Sequence, residues 1–176
     1  MNIFVLDQNP MKAAIAHCDK HVNKLAVETY QMMGSALRRH GATDEQMPLT
    51  RTGQPLVGGY KHHPVTKWVG ETRSNFDWAA KYGIELAYEF EHRYGKQHFC
   101  FLPLIKMSEL SHLIPEGQIT PFVLAMPEQF RQECPVLSYR DYYFNDKRHA
   151  FQMLWEKGRS EPDWWTECVN LENLTN

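Results

Sequence analysis

From Val22 onward apolar side chains return at steps of three and four: Val22, Leu25, Thr29, Met32 and Ala36. That spacing winds onto one face of an α-helix and predicts a buried stripe. The helical pattern runs from about Pro10 to His40, with a break near Asp19. Asn9 is a suitable N-cap with Pro10 at the first helical position, and Gly41 ends the run. Gly34 within it costs a little helix propensity. Ahead of it, Asn2 to Leu6 reads as a short β-like start, closed by Asp7, Gln8, Asn9 and Pro10.

A second long helix is predicted from about Val65 to Tyr94, stopping at Gly95, with Trp68, Phe76, Ala79, Ala80, Leu86 and Phe90 on its apolar side. Phe101 to Leu113 predicts a third, short and apolar. Ser138 to Gly158 predicts a fourth, with Tyr139, Tyr142 and Tyr143 on its first turns. Pro162, Asp163, Trp164 and Trp165 open a short terminal piece. Residues 41–64 hold Pro48, Gly53, Pro55, Gly58, Gly59 and Pro64, so they read as one long irregular loop. Loops of that length inside a compact domain are often functional. The fold class is mainly α: a compact single-domain helical fold with long first and second helices, a short β-like N-terminus and an aromatic-rich C-terminal part.

Composition agrees with one domain over residues 1–176, since 43% of the 176 residues are hydrophobic and 23% charged. Within it, residues 1–100 form the candidate active-site part and residues 101–176 the C-terminal helices and extension. The net charge of −2 argues against a dedicated duplex-DNA binder. The charge is uneven, however. Residues 1–100 hold 12 Lys/Arg against 10 Asp/Glu and seven of the nine His, whereas residues 101–176 hold 7 against 11. An anionic ligand is therefore expected on the first part. The four cysteines show no CxxC spacing and no signal-peptide pattern precedes them, so reduced thiols in a cytoplasm are expected. No apolar run approaches the roughly 18 residues of a membrane span, so no membrane partner is expected. Oligomeric state is not legible.

Candidate chemistry starts with His17, His21, Lys24 and Glu28, which fall on one helical line at steps of four, three and four. As a catalytic set, Glu28 is the general base or electrostatic stabiliser. His21 orients it or touches substrate, and Lys24 holds an anion or acts as a nucleophile. The alternative is a solvated helix face with an ordinary Lys24–Glu28 pair. His17 and His21 could share a metal with His62 or His63, but no HExxH or spaced carboxylate motif accompanies them, so no metal and no cofactor is assigned. In the segment Gly58–Pro64 the glycine pair lets the backbone approach a ligand, which makes Tyr60, Lys61, His62 and His63 candidate substrate contacts. A polar loop closed by a proline is the plainer reading. On the second helix Arg73, Asn75 and Arg93 are candidate substrate-binding residues, against ion pairs along a long helix. The segments Tyr139–Tyr143 and Lys147–His149 mix aromatic and basic residues, as base-stacking surfaces do and as packed amphipathic helices also do.

Several of these stretches resemble a family of small phage proteins without an assigned activity: Asn2–Asp7, Cys18–Val22, Arg93–His98, Thr120–Pro127 and Tyr139–Tyr143. If phage-encoded, the protein is expected in the host-cell cytoplasm. More distantly, residues 1–95 resemble the pyrimidine-dimer DNA glycosylases of the phage endonuclease V type, which are compact helical proteins. Their catalytic glutamate lies on an early helix, seven residues after a histidine, and His21 and Glu28 repeat that step. A Gly/His loop leads into their later helix, as Gly59 to His63 do here, and that helix ends in an acidic residue, a basic residue and a glycine, as in Glu89, Arg93 and Gly95. The resemblance implies cleavage of an N-glycosidic bond with Glu28 facing the sugar. It also implies that the nucleophile is the α-amine of residue 2, freed when Met1 is removed. The residue here is Asn2, which is bulky for that removal. The expected function is N-glycosidic bond cleavage on a nucleic-acid base or nucleotide, with DNA or a small nucleotide as ligand. A DNA substrate calls for a basic cleft around Arg38, Arg39, Lys61 and Arg73. The alternative is a non-enzymatic phage protein that binds a host protein or sequesters a small nucleotide.

Overall fold

A computed structural model describes residues 2–175. Its frame is a pair of long helices, α2 (Asp19–Arg39) and α4 (Arg73–Tyr94), which pack against each other. Gly83 is what lets them close: a Cβ there would lie 2.8 Å from Thr29 Cγ2, so a larger residue would push the helices apart. Helix α1 (Pro10–Ile15) packs on α4, and α5 (Phe101–Ser108) lies across α4 and α2. All five apolar-stripe positions from Val22 to Ala36 are buried, as the periodicity requires.

Element boundaries follow local capping. The Asn9 side chain accepts hydrogen bonds from the Met11 and Lys12 amides, and Pro10 starts α1. The break expected near Asp19 falls just before it, at residues 16–18. The second long helix is two helices rather than one. A short α3 (Pro64–Val69) ends at Gly70, and the Thr72 hydroxyl then caps α4 by accepting from the Asn75 amide. The expected uninterrupted run was broken by that cap, which competes with helix continuation. The fourth helix begins earlier and ends sooner than its periodicity suggests. Pro135 starts α6 (Pro135–Tyr142), a π-turn over Tyr143–Lys147 leads into α7 (Arg148–Ala150), and the backbone turns extended at Phe151. The terminal piece is a 13-residue helix, α8 (Asp163–Thr175).

The β-like start pairs with no strand, and the described residues contain only an isolated bridge between Leu49 and Pro55. Ile3, Phe4, Val5 and Leu6 are instead threaded into the core. The Asn2 side chain anchors them, donating to the Ala125 carbonyl (2.8 Å) and accepting from the Tyr139 hydroxyl (3.1 Å). Four buried apolar side chains, each worth about 1.5–3 kcal/mol, hold the segment without a ladder.

The C-terminal part is laced to the first hundred residues. The Asp19 amide donates to the Leu154 carbonyl, the Glu156 amide to Asp19 Oδ2, and the Trp155 indole to the Ala16 carbonyl. One cluster of buried apolar side chains runs from Ile3 to Trp165. Among the described residues no helix is long and apolar enough to cross a membrane.

Candidate active site

The two histidines of the His17–His21–Lys24–Glu28 line belong to the core. His17 precedes α2, is fully buried, and shares a 2.5 Å hydrogen bond with the Tyr82 hydroxyl. His21 stacks on Phe4 and shares a 2.8 Å hydrogen bond with the Tyr143 hydroxyl. Burial, helped by the charge of Lys24, pushes His21 down to about 3, and burial drives His17 well below its usual value. Both rings are therefore neutral at pH 7. The expectation that His21 orients Glu28 is corrected by this arrangement, because the ring is committed to Tyr143 and Phe4. No group of three or more metal-ligating side chains forms among the described residues.

Glu28 is placed differently. Its side chain is 12% exposed, and Oε2 accepts a 2.9 Å hydrogen bond from the Asn2 backbone nitrogen. The Lys24 ammonium is 3.7 Å from Oε1 on a side chain that is 59% exposed, a loose contact. One strong hydrogen bond leaves a carboxylate most of its acceptor capacity. His63 stands within the field of Glu28: partial burial lowers its pKa and the carboxylate acts in the opposite sense. Its Nδ1 accepts from the Val65 amide (3.2 Å) and caps α3, which leaves the ring proton on Nε2.

The loop carrying His63 is laid along the Glu28 face of α2. Residues 28, 31, 35 and 39 follow one another on that face. The Gly59 amide donates to the Gln31 carbonyl (3.0 Å), Ser35 Oγ to the Gly59 carbonyl (2.8 Å), and Arg39 to the Lys61 carbonyl (2.8 Å). Gly58 makes the approach possible. Its φ is +92°, and a Cβ would fall 2.2 Å from the Ser35 nitrogen. Tyr60 also has positive φ, +56°, which costs a non-glycine residue about 1–2 kcal/mol.

Beyond the loop opens a cavity of about 910 Å³. Arg38, Arg39, His40, Lys61, His62 and Lys67 line it, with Glu71 the one acidic residue and Trp68, Val57 and Val123 among its apolar walls. Arg38 is committed to the Leu56 and Ala42 carbonyls and to Asp44. Arg39, Lys61, His62 and Lys67 remain to meet an anion.

Three expected substrate contacts are engaged by other parts of the fold. Arg73 pairs with Glu116 at the start of α4, away from the basic cavity it was expected to line. Asn75 is buried and holds the α3–α4 break: its amide donates to the Trp68 carbonyl and Thr120 Oγ1, and its Oδ1 accepts from the Thr120 amide. Arg93 is buried, bonded to Asp19, Glu89 and the carbonyls of His17 and Ile15. Tyr139 and Tyr143 are fully buried as well, so the aromatic–basic segment is a packed helix. Periodicity missed the Asn2 nitrogen at Glu28 and the cavity residues His40, Lys67 and Trp68. The first was signalled only by the resemblance, and the others by no local pattern.

Residues 1–102 match the model of a protein family described as pyrimidine dimer DNA glycosylase. Neither a curated protein nor a solved structure matches the chain significantly. The matched span contains Glu28, Asn2, the 58–63 loop and every cation of the cavity. It exceeds half of the 176 residues, and the chain belongs to the pyrimidine dimer DNA glycosylase family.

Proposed function

We propose that this protein cleaves the N-glycosidic bond of a nucleotide in DNA, with Glu28 as the carboxylate that faces the reacting sugar. The observation that carries this reading is the state of Glu28: mostly enclosed, held by one hydrogen bond from Asn2, and free to take up another partner. As the base departs, positive charge develops at C1′, and a fixed carboxylate in a largely enclosed site stabilises it. His63 offers an Nε2–H that can hydrogen-bond the leaving base. A protein whose Glu28 served only an exposed helix face would leave that carboxylate in solvent.

The cations speak for a polymeric substrate over a free nucleotide. Glu28 and Arg39 are eleven residues apart on α2, about 16 Å along its axis. A DNA strand carries a charge about every 3.4 Å of duplex, so Arg39, Lys61 and Lys67 sit where a backbone reaches and a single nucleotide bound at Glu28 does not.

The Asn2 nitrogen has two possible parts, set by Met1. As a peptide nitrogen it positions Glu28, and water attacks C1′. As an α-amine, after removal of Met1, it attacks C1′ itself; the base leaves with the bonding pair and a proton, and an imine to the sugar results. The test is incubation with ultraviolet-damaged, base-modified and undamaged DNA and with free nucleotides, reading released base by mass spectrometry. Base release from one class of DNA is expected, and none from free nucleotides. No release from any substrate would overturn the proposal. Intact mass fixes the state of Met1, and borohydride should trap a covalent adduct only in chains that begin at Asn2.

A further inference from the structure

The hydrogen bond from the Asn2 nitrogen to Glu28 needs a direction, and the packing of the neighbouring residues does not supply it. Ile3, Phe4, Val5 and Leu6 are buried among apolar groups. Apolar contact is non-directional, so it sets where the segment lies rather than where one nitrogen points. Direction comes from the Asn2 side chain. Its Nδ2 donates to the Ala125 carbonyl (2.8 Å), and its Oδ1 faces the Tyr139 hydroxyl (3.1 Å). With the bond to Glu28 Oε2, one residue is held at three points.

Tyr139 is the hub of this clamp. It is fully buried, and its ring stands edge-on to Phe4 at 5.9 Å. Its one hydroxyl proton faces the Val123 carbonyl (2.6 Å) and Asn2 Oδ1, and its oxygen accepts from the Ala125 amide (3.3 Å). The Ala125 carbonyl takes the Asn2 side-chain amide in turn, so Tyr139, Ala125 and Asn2 close a ring of hydrogen bonds. Buried polar networks of this kind specify one arrangement when every member is satisfied. Burial pushes the Tyr139 pKa up to about 12, so the donor keeps its proton around neutral pH. The same hydroxyl holds Val123, a wall of the basic cavity. Val123, Ala125 and Tyr139 all lie outside the span that matches the family, residues 1–102.

We propose that Tyr139 is a positioning residue for the reaction, acting through the Asn2 side chain to hold the residue-2 nitrogen against Glu28. The C-terminal part thereby completes an active site whose carboxylate lies in the family-matched part. The inference rests on the glycosylase reading above. It holds for either state of Met1, because the nitrogen needs direction whether it donates to Glu28 or attacks C1′. Losing the clamp should slow turnover and leave DNA binding nearly unchanged, since the cavity cations Arg39, Lys61 and Lys67 belong to α2, the 58–63 loop and α3.

Two variants of the full-length protein test this on ultraviolet-irradiated duplex DNA, with base release expressed per folded molecule. Tyr139→Phe removes only the hydroxyl, and Asn2→Leu removes the amide at similar size. Each should lower kcat roughly 10- to 100-fold, the order of loss that a misplacement of about 1 Å causes, with KM changed less than about twofold. The double variant should be no slower than the slower single one, because both substitutions break the same link, whereas independent structural losses would multiply. Wild-type kcat in Tyr139→Phe, a rise in KM alone, or multiplied losses in the double variant would overturn the inference and leave the glycosylase reading standing. If Tyr139→Phe fails to fold, Asn2→Leu decides by itself, and wild-type kcat there overturns the inference. Wild-type protein that releases no base from irradiated or any other DNA would overturn both.

Discussion

Glu28 and Glu89 are two enclosed glutamates on the two central helices, each with a basic residue one turn away, yet they differ in every respect that matters for chemistry. Glu89 is held by two guanidiniums. Arg93 donates to Oε1 at 2.7 Å, and Arg159 donates to both oxygens at 2.7 and 2.9 Å. Burial works to raise its pKa, but the two guanidiniums outweigh burial and hold it below the usual carboxylate range. Glu28 has a single close donor, a backbone nitrogen, and a lysine that mostly faces water. A carboxylate with three of its roughly four acceptor sites taken by two guanidiniums ties the fold together. One that keeps capacity while being mostly shielded can act on a substrate. On the proposed reading the contrast distinguishes the two acids where spacing does not, since both belong to an i,i+4 pair with a base.

The contrast can be broken most sharply at Arg93. Arg93→Leu removes the cation that joins Asp19 and Glu89; Arg159 still pairs with Glu89, but the buried Asp19 carboxylate loses its only cation among the described residues, a loss of about 3–5 kcal/mol that denaturant unfolding should show. Base release by whatever fraction stays folded should persist. The opposite pattern is expected for Glu28→Gln: Tm near wild type by thermal unfolding, and base release lowered roughly 100- to 1,000-fold, equivalent to about 2.7–4 kcal/mol of transition-state stabilisation. Full activity in Glu28→Gln would erase the distinction.

A smaller effect comes from the buried histidines. His17 and His21 have folded-state pKa values below 6.5, so under acid the unfolded chain binds protons that the folded chain refuses. Their contribution is neutral above about pH 6.5. Stability is then lost as pH falls, down to about pH 3 in the case of His21. The cost is about 1.4 kcal/mol per pH unit for each histidine. Urea unfolding at pH 7, 6 and 5 should show that slope, and His21→Phe should remove about half of it. The smallest change is expected at Lys24. Lys24→Ala should alter stability by less than about 1 kcal/mol, because exposed pairs contribute little, and should alter base release less than threefold. A large activity loss there would place Lys24 in the catalytic set beside Glu28.

Much of the helical frame was legible in the chain. The Val22–Ala36 stripe, the Asn9–Pro10 start and the Gly41 and Gly95 stops are local signals, and each held in the structure. The errors arose where tertiary partners outweighed local pattern. Thr72 caps a new helix because residues 115–120 fold back onto it: the Pro115 carbonyl accepts from the Arg73 amide, and Thr72 Oγ1 donates to the Gln118 carbonyl. Asn2–Leu6 is a short apolar run with β-like composition, but its backbone is engaged by side chains of distant segments, Glu28 and Arg140, and it pairs with no strand. At the candidate site, Glu28 and the 58–63 loop could be read from residue type and glycine placement. The fate of His21, Arg73, Asn75 and Arg93 could not, because each is decided by a partner 39 or more residues away.

The sequence by itself determined where the long helices run, which of their faces are apolar, and that a glycine pair precedes Tyr60 to His63. These follow from periodicity and backbone preference, which act over a few residues. Only the tertiary structure decided which polar groups are free. It closed His17, His21, Arg93 and Asn75 into the interior, brought the Asn2 nitrogen to Glu28 across 26 residues of chain, and ranged Lys61, His62 and Lys67 beside Arg39. Enclosure and hydrogen-bond saturation are properties of an assembled surround, and a helical stripe cannot show which of its members will find partners.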